Sequence, residues 1–273
     1  MENKIDLQLF ESAMRDAKMS KNAIASYLFS ARTFASKFGE VTRQNLDSYK
    51  TWLIENFAVK TVNIRILGLN WYAKHVLKSP KLWTPLVKEQ QKPFLEDVIS
   101  EADYEYLKKR LENEKDRKWY FIVRFLGATG ARISEFLQFK VEHVRAGKVD
   151  IYGKGGKLRR VYIPAALRDM ALAWLSEIGR DSGFLWLNQN GQRMTARGIA
   201  AGLKDRAKRY KINTDVVYPH SFRHRFAKSF LERYSDIAFL ADLMGHASIE
   251  TTRIYLRKTA TEQREIVDRV ITW

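Results

Sequence analysis

The sequence predicts a mainly α-helical protein with one small β-hairpin, made of an N-terminal helical bundle and a larger α+β domain. Three observations predict this. Apolar residues recur at a spacing near 3.6 along most of the 273 residues. One pair of alternating runs, Val149–Tyr152 and Leu158–Ile163, flanks Gly153-Lys-Gly-Gly-Lys157 and reads as the clearest hairpin. Between the halves, Lys88-Glu-Gln-Gln-Lys-Pro93 is polar and broken by proline, the mark of a linker. The expected division is residues 1–87, a linker at 88–94, and residues 95–273.

The elements follow in chain order. Ile5, Leu7, Leu9 and Phe10 open an apolar pattern that continues to Met14. Ser20 is placed to cap a second helix with Ile24, Tyr27, Leu28, Ala31 and Phe34 on one face. Thr42 can cap a third, carrying Leu46, Tyr49, Trp52, Leu53 and Phe57. A fourth begins near Thr61, buries Val62, Ile66 and Leu69, and stops before Ser79-Pro80. Four short amphipathic helices make a bundle. After the linker, Ser100-Glu-Ala-Asp103 reads as a capping box that starts a helix through Leu111. Trp119–Leu126 is an apolar helix that Thr129-Gly130 breaks, and the next helix carries Ile133, Phe136, Leu137 and Phe139. Past the hairpin, helices are expected over roughly 165–177, 195–210, 219–233, 236–244 and 249–256. The last residues, Ile266, Val267, Val270, Ile271 and Trp273, also fall at helical spacing.

Charge indicates the partner. The formal net charge is +17, with a surplus of 7 over residues 1–92 and 10 over the remainder. Both halves are basic, which fits a polyanion gripped by both rather than a casual basic tail. The chain has no cysteine, so disulfides, thiolate nucleophiles and cysteine zinc sites are excluded. No apolar run approaches the roughly 20 residues of a membrane helix, and the N-terminus lacks a secretory layout. A cytoplasmic protein is expected, with no membrane partner, no metal and no cofactor.

Five side chains in the second half converge on one chemistry. Arg132 follows a glycine turn and falls in the first turn of the next helix, where amides and dipole favour an anion and a guanidinium can grip a phosphate with two bonds. His220 and Arg223, three apart behind Pro219, share a helix face. Gly245 ends a helix and His246 enters the loop after it; Ser248 caps the segment bearing Tyr255. A phenol of pKa about 10 is a poor nucleophile until a base or a cationic field favours its phenolate. The two arginines and two histidines supply such a field. Lys154 and Lys157 lie on the hairpin turn, where either could touch DNA or protonate a leaving oxygen. His75, His143 and His224 are read as structural histidines, and Tyr152, Tyr162 and Tyr234 as half-buried packing residues.

Residues 95–257 resemble the catalytic domain of the tyrosine recombinase family, the phage integrases and Xer-like enzymes. The resemblance rests on Ala128-Thr-Gly-Ala-Arg-Ile-Ser-Glu135, the Gly-Lys-Gly-Gly-Lys hairpin, His220-Ser-Phe-Arg-His224, Leu243-Met-Gly-His246 and Thr251-Thr-Arg-Ile-Tyr255, in that order. It implies Arg132, Lys154, His220, Arg223, His246 and Tyr255 as the catalytic set, with Lys154 as the first lysine of the hairpin motif. Residues 1–87 look like the family's helical core-DNA-binding (SAM-like) domain, and the chain resembles the minimal recombinases without an arm-binding domain. Two positions depart from the family pattern: Phe222 where leucine is commoner, and Arg225 where a small residue is common.

The resemblance implies attack of Tyr255 on a DNA phosphate, leaving a 3′-phosphotyrosine and a free 5′-hydroxyl. Arg132, Arg223 and His246 would stabilise the five-coordinate phosphorus, Lys154 would protonate the leaving oxygen, and His220 would help manage the tyrosine proton. It also implies a clamp around a double-stranded recombination site, a tetramer at synapsis, and a tail helix either donated to a neighbouring protomer or docked on its own domain. The act could be integration, excision, inversion or resolution, as for a mobile element. The alternatives are a type IB-like topoisomerase, which needs no synapsis, and a catalytically silent DNA-binding regulator.

Overall fold

The computed structural model describes residues 4–89, 98–152, 158–246, 248–256, 264, 267–271 and 273. The chain divides into two compact units, Met1–Gln91 and Lys92–Trp273.

The first unit is a bundle of α1 (Leu7–Asp16), α2 (Lys21–Phe38), α3 (Arg43–Asn56) and α4 (Val59–His75), followed by a 3-10 turn at Pro80–Leu82. Its helix starts are written in the caps. The Asp6 carboxylate accepts from the amides of Gln8 and Leu9, Ser20 Oγ from Ala23 N, and Thr42 Oγ1 from Asn45 N. Helix α4 starts two residues before the expected Thr61, because Ala58 stands at its N-cap without a side-chain bond and leaves no signal to read. Phe10, Met14, Leu28, Phe34, Leu53 and Ile66 fill the centre, each buried and each contributing about 1.5–3 kcal/mol of transfer free energy.

The second unit is helical apart from one hairpin. It comprises α5 (Glu101–Asn113), α6 (Arg117–Thr129), α7 (Ile133–Phe136) and α8 (Val141–Ala146), then β1 (Lys148–Tyr152) and β2 (Leu158–Tyr162). After these come α9 (Ala165–Glu177), α10 (Ala196–Arg209), α11 (Pro219–Arg233), α12 (Ile237–Met244) and α13 (Glu250–Arg253), which runs into a 3-10 turn at Ile254–Leu256. The strands are antiparallel, with Lys148 opposite Tyr162 and Ile151 opposite Arg159. Helix α8 has no counterpart in the expected elements: it is six residues long, and its start is closed by His143 Nδ1 accepting from Lys140 N at 3.1 Å.

Helix α6 lies at the centre, and Phe121, Ile122, Val123 and Phe125 are all buried. Trp186 stacks on Phe136 at 4.7 Å and meets Phe125 edge-on at 5.4 Å, which seats the short α7 against α6. Helix α11 is anchored by the two departures noted in the sequence. Phe222 is fully buried and edge-on to Tyr104, while the Arg225 guanidinium lies 3.7 Å over the Tyr104 ring and pairs with Glu101. Both lock α11 onto α5 and leave its opposite face to chemistry.

At the far end, Val267–Val270 is helical, with Val267, Val270, Ile271 and Trp273 exposed. Ile266 and Lys154 lie outside the described residues. Among the described residues, no helix is long and apolar enough to cross a membrane, and no three His, Asp or Glu side chains gather as metal ligands.

Candidate active site

Three segments meet at one point of the second unit: the turn after α6, one face of α11, and the chain from the end of α12 to the 3-10 turn. Two glycines make the meeting possible. Gly130 ends α6 at φ +57 and Gly245 ends α12 at φ +60, both left-handed. A Cβ on Gly130 would come within 2.4 Å of the Phe226 ring, and one on Gly245 within 2.4 Å of Arg159 Cδ.

Arg132 stands at the N-cap of α7 rather than inside its first turn, with φ −67 and ψ 149. Glu135 explains the difference. Its carboxylate accepts from Arg132 N at 2.7 Å and from Arg132 Nη1 at 2.9 Å, so the amide expected to help hold an anion is already occupied. Arg132 Nη2 donates to Gly245 O at 2.9 Å, and the side chain keeps 40% of its surface open. It is held in place from behind while its front stays accessible.

Arg223 is 2% exposed. Nη1 donates to Gly130 O at 2.5 Å, and Nη2 donates to Met244 O at 2.7 Å and to His246 Nε2 at 2.9 Å. An arginine has no acceptor, so Nε2 of His246 accepts, and its Nδ1 carries the proton donated to Thr252 Oγ1 at 2.7 Å. Arg223 therefore ties the turn after α6 to the end of α12 and fixes the tautomer of His246.

Tyr255 is buried with Leu231, Leu240 and Met244, and its ring lies nearly parallel to that of His246 at 6.5 Å. Its hydroxyl is 2.9 Å from His224 Nδ1. The His224 ring in turn meets His220 edge-on at 4.3 Å.

The electrostatics favour an incoming anion. Burial pushes the Arg223 guanidinium down to about 10, with Arg132 and Arg159 adding repulsion, so it remains charged at neutral pH. Burial likewise lowers His224 and His246 to about 4, helped for His224 by His220 and for His246 by Arg223, leaving both neutral. His220 is lowered for the same reason, with Arg223 and Arg132 contributing. Tyr255 is raised to about 12 by burial, against the pull of Arg223 and Arg132. Two confined guanidiniums among neutral histidines and a protonated phenol would be relieved by a phosphate between them.

The sequence profile of the phage integrase family matches residues 97–262. The chain belongs to the phage integrase family. Curated relatives include tyrosine recombinase XerA of Pyrococcus furiosus, 29% identical over 96% of this chain and 93% of that protein. Another is XerD of Oceanobacillus iheyensis, 30% identical over 69% of this chain and 66% of its own length. Among solved structures, a Tn1549 transposon integrase in complex with transposon right end DNA aligns over 99% of both chains at TM-score 0.74 and 18% identity. A lambda integrase tetramer bound to a Holliday junction aligns over 94% of this chain and 80% of its own at TM-score 0.74 and 12% identity. These last two show the shared fold.

Within this integrase-family site, the structure brings together Arg132, His220, Arg223, His246 and Tyr255. Two residues that sequence reasoning did not single out stand beside them. His224 was read as structural, yet it sits four residues after His220 on the same helix face, which is the signal that could have found it. Arg159 falls on the inward phase of β2 with Val161, a position where alternation calls for an apolar residue. It ion-pairs with Glu135, donates to Leu243 O at 2.8 Å, and is 8% exposed. Burial pushes Glu135 up, but the Arg159 charge and bonds from Arg132 and Arg159 hold it below the usual carboxylate range. Replacing Arg159 by leucine leaves the buried Glu135 carboxylate with Arg132 as its one cation among the described residues and strands the Leu243 carbonyl. Loss of one partner of a buried pair costs about 3–5 kcal/mol. Urea denaturation should show a loss of that size, and a change under about 1 kcal/mol would mean that Arg159 does not support the site.

Proposed function

We propose that the protein is a site-specific recombinase that cuts duplex DNA through Tyr255 and rejoins it to a new partner strand. The observation that carries the proposal is the convergence of Arg132, Arg223 and His246 with Tyr255 from three separate segments. In the proposed step, Tyr255 Oη bonds to phosphorus while the bond to the 5′-oxygen breaks, leaving a 3′-phosphotyrosine. Arg223 and Arg132 offset the charge that accumulates on the equatorial oxygens, and His246 assists through its hydrogen bond at Nε2, which holds the Arg223 guanidinium in place. Lys154, by its place in the hairpin motif, protonates the departing 5′-oxygen. His220, its ring against that of His224, helps manage the tyrosine proton. The 5′-hydroxyl of a partner strand then reverses the step, which conserves the phosphodiester bond energy, so the chemistry runs without cofactor or metal.

The wider arrangement belongs to the same proposal. Residues 1–87 act as the core-DNA-binding domain and 95–273 as the catalytic domain, joined by 88–94, and the two close around a recombination site as a clamp. Four protomers assemble at synapsis, each with its exposed tail available to a neighbour, and the protein works in the cytoplasm. The net charge of +17 supports a DNA partner.

The test separates the readings by product. A plasmid carrying two direct copies of the DNA flanking the gene should yield two smaller circles. Relaxed topoisomers without circles would favour a type IB-like topoisomerase, and binding without any cut strand would favour a silent regulator.

A further inference from the structure

Every account of a phenol that bonds to phosphorus must say where its proton goes. Arg132 and Arg223 carry no acceptor. His246 has both ring nitrogens committed, Nε2 to Arg223 and Nδ1 to Thr252. Among the described residues, the hydrogen bond at the Tyr255 hydroxyl is the one to His224 Nδ1, at 2.9 Å, with the ring centroids 5.5 Å apart. The His220 ring meets that of His224 edge-on at 4.3 Å.

We propose that His224 is the catalytic base that takes the proton of Tyr255, an inference that rests on the recombinase reading. With Nδ1 unprotonated, the phenol O–H donates to it. As Oη bonds to phosphorus and the 5′-oxygen leaves with its electron pair, the phenol proton passes to Nδ1, and the 5′-oxygen takes its own proton from the separate acid assigned to Lys154. In the reverse step the attacking 5′-hydroxyl displaces the tyrosine, which recovers its proton from the His224 imidazolium. Burial keeps this histidine neutral at rest and therefore able to accept. A phosphodiester brought in by Arg132 and Arg223 places a negative charge nearby and favours the imidazolium that forms.

The test uses the full-length protein and nicked suicide duplexes made from the flanking sequence at which the unaltered protein becomes covalently attached. H224A and H224N are compared in single-turnover adduct formation, with mobility shift as the measure of binding. Asparagine offers an oxygen acceptor near the Nδ1 position but almost no basicity. Both variants should bind normally and form adduct at least about 100-fold more slowly, the scale of a lost general base. The defect should persist on a 5′-bridging phosphorothiolate duplex, whose sulfur departs without a proton. H224N within a few-fold of the unaltered rate would reduce His224 to a positioning residue and overturn the proposal. Recovery on the phosphorothiolate would place the defect on the leaving-group side and overturn it as well. Should H224A misfold, H224N carries the comparison alone. An unaltered protein that forms no adduct on any flanking duplex overturns the recombinase reading; one that does, beside an equally active H224A, overturns only this inference.

Discussion

Tyr255→Phe should abolish covalent attachment to DNA while leaving DNA affinity within about two-fold. The reasoning is one of atoms. Phenylalanine retains the ring that packs with Leu231, Leu240 and Met244, so the end of α12 and the 3-10 turn keep their positions. What goes is the oxygen that would bond to phosphorus, together with its hydrogen bond to His224, worth about 1 kcal/mol of stability. The positive surface that draws DNA is untouched. Denaturing gels after incubation with a nicked duplex should show the adduct band for the unaltered protein and none for the variant, and mobility shift should show equal retention. A denaturant-resistant adduct from the phenylalanine variant would mean that another residue is the nucleophile.

Arg223→Ala should slow cleavage on the order of 100-fold or more, as does loss of one preorganised donor at a developing oxyanion. The geometry argues for a second effect. Arg223 donates to Gly130 O, Met244 O and His246 Nε2, so alanine leaves the buried Met244 carbonyl unpaired, leaves Gly130 O with only the longer bond from Arg159 at 3.4 Å, and frees His246 to turn. Stability should fall by about 1–3 kcal/mol from the unsatisfied Met244 acceptor. Lysine should not rescue, because a single ammonium cannot reproduce the planar fork that reaches three acceptors. Single-turnover cleavage and urea denaturation on both variants give the two numbers. A cleavage rate within five-fold of the unaltered protein would remove Arg223 from the transition state.

Helices of ten residues or more were legible in the sequence because their apolar faces repeat, and in α1, α2, α3, α5 and α10 the cap is also spelled out by Asp, Ser or Thr. Helix α8 was not, being too short for periodicity and closed by a histidine at N3. The hairpin was visible from alternation alone. So were Arg132, Arg223 and His246 as donors, since each stands beside a glycine turn or on a shared face. What stayed hidden was who holds whom. Glu135 reads as an ordinary surface acid until Arg159, 24 residues on, is folded beneath it. His224 reads as one more helical histidine until the chain end returns Tyr255 to it. Arg132 moved to the N-cap for the same reason, since the Glu135 carboxylate reaching back to its amide is a tertiary arrangement supported by Arg159. Local sequence carries the donors; the contacts between distant segments decide which of them act.

The central claim is that one phenol near the C-terminus becomes covalently joined to DNA. Mass spectrometry of the adduct formed on a suicide duplex, after proteolysis and nuclease trimming, reads this directly. A nucleotide carried through its 3′-phosphate on the peptide containing Tyr255 is the predicted result. A nucleotide on any other residue, or an attachment through a 5′-phosphate, would contradict it.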